Sequence, residues 1–424
     1  MAFSFALFGA SVLRILSIPA SIITYYNNDR VRGRIIGGFT DSLGNSYINI
    51  EYSNGGSTGG FVNQKISSSN SVIWSKYFPN SYGGANGLDC DAAGNLYVGG
   101  FYGDYPGQYF ALYTKYNSDG ALQWQRHRGG GQTYSDNISI NKGGYSSMSS
   151  TTNGGTCHMF LIDTNGNTVI SRTVGGSVYG QGYAGMATTA ALVGYTNQIC
   201  VYSLTGSYLF GKTAGFAYGI RGTGDSENNF YTWAFGTSTS NVVYVTKWNS
   251  SGIAQWHRSI TTPSGYLHAE SSSGTCDSNN NVYIPMFRKT IAESGDNSSD
   301  FCMVSFDKDG NVRYQRSMSS SAKDQSSTVN INEAINSGFI GGAFNGDRSG
   351  ALVTFDLTTG SAAGTATVGG VAVTFAANNL TIATISSPAY SNRSDFGGSS
   401  SLSGISRGGD GGNGFYTINR ATFS

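Results

Sequence analysis

The chain has 424 residues, with 25 basic against 24 acidic side chains and a formal net charge of +1. Hydrophobic residues make up 39% and aromatic residues 13%, while charged residues are only 12%, and there are 61 Gly but 6 Pro. The balanced charge excludes the electrostatic footprint of a nucleic-acid-binding protein. The aromatic load is enough to offset chain ordering, which excludes a disordered polymer.

In chain order, the first element is the apolar run MAFSFALFGASVLRILSIPASII. It lacks a charged leader, is split by Arg14 and broken by Pro19, so it reads as neither a signal peptide nor a membrane anchor. Arg30, Arg32 and Arg34 follow as the densest basic group, which reads as a solvated strand face or turn rather than a phosphate site.

From there the chain repeats itself. The clearest copy is DAAGNLYVGGFY, a variable loop, then FALYTKYNSDGALQWQRH, covering Asp91 to His127. Its second hairpin recurs with turn positions at Asn70, Gly120, Gly166, Gly206, Gly252, Gly310 and Gly360, at intervals of about 48 residues. A first hairpin interleaves, with turns starting at Asp41, Asp91, Asn141, Asp225, Asp277 and Asn332 and a degenerate copy near Ala187. Asp and Asn cap such turns by accepting from their own downstream backbone, and Gly or Asn tolerates positive φ. Segments such as NLYVGG and ALQWQR alternate as half-buried strands do, and Pro is nearly absent from them. Two hairpins per repeat make a four-stranded unit, and units of this period predict an all-β propeller of seven or eight blades.

The spacing divides the chain into an N-terminal segment 1–33, propeller repeats 34–370 and a C-terminal part 371–424. Seven hairpin pairs are readable, from about Arg34 to Val368. VAVTFAANNLTIATIS at Val371 to Ser386 repeats the first-hairpin pattern, GFYTIN at Gly414 to Asn419 reads as a third strand, and Ser4 to Ser17 resembles a second hairpin turning at Gly9. Two closures fit this pattern. Either the termini combine into an eighth blade, or seven blades close without them and both tails serve assembly.

DAAGNLYVGG and DSNNNVYIPM resemble the SBBP-type β-propeller repeat, whose core reads D-x-x-G-N-x-Y-V-x-G, over about 330 residues of this chain. Gly-, Tyr- and Ser-rich propellers of low charge are similar to virion structural proteins of tailed phages. That resemblance implies a non-enzymatic virion protein on a tail, fibre or capsid. It would be assembled in the host cytoplasm and bound to other virion proteins through its terminal segments, as a homo-oligomer and with possible contact to host-surface glycans. Quinoprotein propellers offer a second resemblance, because NSDGALQW and NSSGIAQW place Gly120 and Gly252 four residues before Trp124 and Trp256. Trp74 also fits, but Ile170, Phe210 and Tyr314 stand at the other copies, so these groups are read as packing between blades, and no cofactor is expected.

Chemistry is otherwise sparse. Cys90, Cys157, Cys200, Cys276 and Cys302 form no CxxC; their odd number excludes a complete set of internal disulfides and fits buried thiols made in a reducing compartment. Of the four histidines, His127 and His257 recur at equivalent strand ends beside a Trp, a structural pattern; His158 and His268 complete the set. Asp307 and Asp309, and Asp296 and Asp300, are acidic pairs for which turn capping is the better reading than calcium. Tyr82, Tyr134, Tyr179, Tyr218 and Tyr266 lie between blades, 12 to 14 residues beyond the preceding turn, and form the candidate binding set for glycan or protein, set against inter-blade packing. No catalytic or metal-binding residue is assigned, and the competing readings are a propeller enzyme, quinoprotein-like or glycan-cleaving, and a cell-surface adhesin.

Overall fold

The computed structural model describes residues 21–26 and 32–422, apart from 54–58, 104–108, 129–132, 153–155, 175–181, 216–218, 236–240, 270–273, 291–298, 320–324, 345–348, 394–402, 405–408, 411–416 and single residues or pairs elsewhere. These residues form seven antiparallel sheets. In blade 2 the strands run Tyr82–Cys90, Leu96–Gly103, Tyr109–Tyr116 and Leu122–Arg128, each beside the next. The first strands of successive blades lie against one another around an axis, and blade 7 meets blade 1 to complete the ring. The fold is a seven-bladed β-propeller.

Each repeat folds this way for local reasons. Strands alternate large and small groups, so one blade has two apolar faces and can bury them only against its neighbours. Among the described residues, hydrophobic clusters accordingly lie in the seams. One joins Tyr47, Phe61 and Phe78 of blade 1 to Leu96, Val98 and Tyr116 of blade 2. Another joins Tyr231, Trp233 and Val245 of blade 5 to Val282, Ile284 and Val304 of blade 6.

Of the seven or eight blades that the sequence allows, the structure has seven, and the termini join existing blades instead of making another. Ser21–Tyr26 is the outer strand of blade 7, paired with Ser349–Asp356, and Thr417–Thr422 pairs on its far side. The hairpin expected from ALVTFDLTTGSAAGTAT does not form, since Gly364–Val368 turns away and pairs with Val371–Ala377. An eighth blade would need two apolar faces, and the C-terminal strands supply few large apolar side chains, with none on Ser403–Gly404 or Gly409–Asp410. They are instead distributed. Val371–Ala377 adds to blade 6, Thr381–Thr384 to blade 5, Tyr390–Asn392 to blade 4, Ser403–Gly404 to blade 2, Gly409–Asp410 to blade 1 and Thr417–Thr422 to blade 7. The segment is a belt around the circumference, running opposite to the order of the blades. Among the described residues only blade 3 keeps four strands. Phe375 and Leu380 plug the outer ends of the 6–7 and 5–6 seams, and Tyr390 meets Trp248 edge-on at 4.8 Å between ring centres. The Ser4 to Ser17 hairpin lies outside the described residues.

Candidate functional site

Both turn series lie on one face, because first and third strands run toward it. The first-hairpin turns ring the mouth of the central channel, and their geometry follows from the motif. Asp91 Oδ1 accepts the N–H groups of Ala93 and Asn95 at 3.0 and 2.9 Å, and Oδ2 accepts Asn95 Nδ2 at 2.8 Å. Asp225 and Asp277 make the same three bonds, to Glu227 and Asn229 and to Asn279 and Asn281. Gly94 at φ 75° and Asn280 at φ 61° complete turns that require the left-handed region. The hydroxyl two residues past the Asn joins in. Tyr97 lies 3.1 Å from Asp91 Oδ2 and 3.0 Å from the Gly144 carbonyl of blade 3. Turn aspartates therefore both shape their own hairpin and hold the next blade.

Asp307 and Asp163 do the same in second-hairpin turns. Burial pushes each carboxyl up, but donors from Asn311, Asp309 and Gly310, or from Asn167, Asn165 and Gly166, outweigh it and leave both below the usual range. Asp309 pairs with Lys308 Nζ at 3.2 Å, and Asp300 pairs across the strand with Arg288 at 3.1 Å. Asp296 lies outside the described residues. Among the described residues no group of three or more His, Cys, Asp or Glu could hold a metal ion.

The channel mouth is a cavity of 870 Å³ whose lining includes Asp41, Asp89, Cys90, Asp225, Cys276 and Glu333. Asp89 is its most perturbed acid. Desolvation raises its carboxyl to about 7, against the N–H donors of Cys90 at 2.8 Å and of Ile140 in blade 3 at 3.0 Å, with Asp91 adding repulsion. Cys90 and Cys276 each precede a turn aspartate; burial and the neighbouring carboxylates push both thiols well above their ordinary value, so they are poor nucleophiles. All five cysteines are free.

Three of the candidate tyrosines lie on strand starts at the opposite end of the channel. Tyr82 opens the inner strand of blade 2 opposite Gly103, Tyr134 follows the first residue of blade 3 opposite Thr151, and Tyr266 opens the inner strand of blade 6 opposite Thr290. Tyr179 and Tyr218 lie outside the described residues. The histidines are dispersed. His127 Nδ1 meets the Tyr102 hydroxyl at 2.8 Å, and His257 Nδ1 meets Thr246 at 3.0 Å. His158 is buried against Thr173; desolvation and then the Arg128 charge lower it to about 4. His268 lies opposite Arg288 on the inner strand of blade 6.

A repeated staple also crosses the seams. Trp124 sits on the Gly166 turn of blade 3, where a Cβ would come within 2.8 Å of the ring, and its Nε1 donates to Thr164 O at 3.3 Å. Lys115 Nζ donates to the same carbonyl at 3.1 Å and Arg126 Nε to Gly166 O at 2.8 Å. Lys247, Trp256 and Arg258 repeat the arrangement on the turn carrying Gly310. The expected inter-blade role of the Trp position is therefore met, whereas the Lys and Arg partners were missed. Their signal was present: Lys65, Lys115 and Lys247 each precede a Trp by nine residues, and a basic residue stands two after it.

No known sequence family matches this chain, and no curated protein is similar to it in sequence. Solved structures are similar in shape. Sqt1 from Chaetomium thermophilum is 11% identical, over 80% of this chain and 86% of that one, with a TM-score of 0.46. The Pan2 WD40 domain from Neurospora crassa is 8% identical over 76% and 89%, with a TM-score of 0.35. A protein of unknown function from Dyadobacter fermentans is 6% identical over 80% and 98%, with a TM-score of 0.45. Such likeness concerns fold alone. The class rests on the chain's own seven sheets and stapled seams: a repeat protein of the β-propeller kind.

Proposed function

We propose that this propeller is a non-enzymatic structural protein of a phage virion, displayed on the tail, fibre or capsid and adhering weakly to host-surface glycans. One observation carries the reading: the turn aspartates that dominate the mouth engage both carboxylate oxygens with their own hairpins, as in Asp91 and Asp277. Acids used as structural caps suit a display scaffold better than a reaction centre. Other virion proteins dock through the terminal segments, and the tyrosine-bearing rim at Tyr82, Tyr134 and Tyr266 is the adhesive end. Weak contacts become avid through the symmetry of the assembly.

Quantitative mass spectrometry of purified particles from the source culture tests this. Peptides of the chain in fixed ratio to a major capsid protein support it. Recovery only in a cell-envelope or secreted fraction refutes it and favours the adhesin. For the rim, Tyr134→Ala with Tyr266→Ala loses glycan binding at unchanged melting temperature; lost stability instead assigns these rings to packing. Asp89, with its carboxyl raised to about 7 in the channel, is the observation favouring a glycan-cleaving enzyme. Hydrolysis of a glycan panel that Asp89→Ala abolishes would establish that alternative.

A further inference from the structure

We propose that the C-terminal belt is an edge guard, which keeps the outer strands of the ring from pairing with another copy of the chain. The inference is independent of what the ring is displayed on. An outermost strand exposes unpaired N–H and C=O groups and invites another strand to add. Here the belt adds one first, on six of seven blades.

Core formation accounts for only part of the belt, at Phe375, Leu380 and Tyr390. Thr381, Ala383 and Thr384 are exposed, and so are Ser391 and Asn392. On blades 2 and 1 the belt strands are only Ser403–Gly404 and Gly409–Asp410, which bring no apolar anchor. What every belt strand shares is an antiparallel main-chain pairing on an outer edge.

Where the belt stops, side chains take over. The belt pairs from Arg126, Arg258 and Arg316 onward, toward the far end of each outer strand. Each of these arginines turns its Nη1 back onto the carbonyl of the preceding residue, Gln125, His257 or Gln315, at 2.9, 2.8 and 2.7 Å. Arg172 does so to Ser171 at 3.0 Å in blade 3. Nearer the turn, Gln123 and Gln255 donate to the carbonyls of Ala121 and Ile253 at 3.3 and 3.1 Å. Belt strands and self-capping side chains thus divide the same edges between them. Copies packed side by side would meet through loops and side chains, not through strand addition.

The test uses full-length protein. Ala383→Pro with Ser391→Pro removes two ladder donors at exposed belt positions, and Ser391→Pro alone is the milder form. Hydrogen exchange reports release of the belt as faster exchange in the outer strands Ala254–Thr261 and Tyr208–Ala214, with inner strands still protected. Light scattering then reads association and thioflavin fluorescence reads strand pairing. The expected result is self-association beginning at a concentration about tenfold lower than for the parent. Adding Thr213→Lys and Thr261→Lys, which place charge on the freed edges, restores dispersal. A released belt with unchanged dispersal overturns the proposal, as does association that the lysines leave unaltered.

Discussion

The seam between blades 5 and 6 and the seam between blades 3 and 4 perform the same task with different chemistry. At the first, Trp256 covers the turn bearing Gly310, Lys247 and the indole both donate to Lys308 O, and Arg258 donates to Gly310 O at 2.7 Å. At the second, Ile170 stands in place of Trp and Leu161 in place of Lys, and the Cβ position of Gly206 is a relaxed 3.4 Å from Ile170. Cys157, Cys200, Met159 and Met186 help fill that seam. The difference teaches that the indole-and-lysine staple is one way to lock a seam whose apolar contact and other polar contacts, such as Asn141 to the Thr188 carbonyl and Arg172 over the Tyr202 ring, already join the blades. Soft sulfur-bearing side chains adapt to the irregular gap where the rigid indole is replaced by Ile170.

The largest effect expected from breaking this contrast is at the stapled seam. Trp256→Ala removes the half-buried ring and its hydrogen bond, and a loss of about 3 kcal/mol in denaturant unfolding is expected. Ile170→Ala at the soft seam should cost about 2 kcal/mol, because no hydrogen bond is lost. Glycine turns sharpen the same comparison. Gly310→Ala meets Trp256 at 2.9 Å and Arg258 at 2.8 Å in addition to a positive φ, whereas Gly206→Ala has the φ alone, so melting temperature should fall roughly twice as far for the first. Should the two glycines prove equal, the staple geometry is not what holds the seam.

A smaller effect concerns protons on two buried groups of blades 2 and 3. Asp89 bridges blades 2 and 3, and its carboxyl is raised to about 7 in the fold, so its favourable contribution is complete below an ordinary carboxyl pKa near 4 and is lost as pH rises through 7. Asp89→Asn should remove about 2 kcal/mol of pH-dependent change across that window, read as a flatter dependence of melting temperature on pH. His158 acts in the opposite sense. Its value near 4 means its contribution is present above about 6.5 and lost on acidification through 4, so His158→Gln should flatten the acid limb by about 1 kcal/mol.

What could be read from sequence was what short-range chemistry determines. Asp91 to Tyr97 specifies a capped turn and the start of an alternating strand, and both are found. Trp124 pointed correctly to inter-blade packing because Trp74 and Trp256 recur at the same place in other repeats, each four residues after a turn position. Blade number was not readable, since Gly364–Val368 has the alternation of a closing strand yet loses its place to Ser21–Tyr26. That competition is decided between residues more than three hundred positions apart. The belt was invisible for a related reason: two to seven residues with few large apolar side chains carry no period, and their partners lie in six different repeats. Topology puts the strand starts that carry Tyr82, Tyr134 and Tyr266 at one end of the channel, while the acids at the other end became interpretable only once the turns were seen side by side.

The belt has a consequence for how the molecule is made. Ser21 is paired with Thr422, and the belt visits blades 6, 5, 4, 2, 1 and 7 in turn. Residues 371–422 are therefore needed by blades synthesised well before them, and from blade 6 back to blade 1 each outer edge waits longer the earlier its blade was made. Contacts of such sequence separation fold slowly. During translation the ring is a set of blades awaiting its hoop, and the nascent chain spends that interval exposed to strand-pairing with neighbours on the same message.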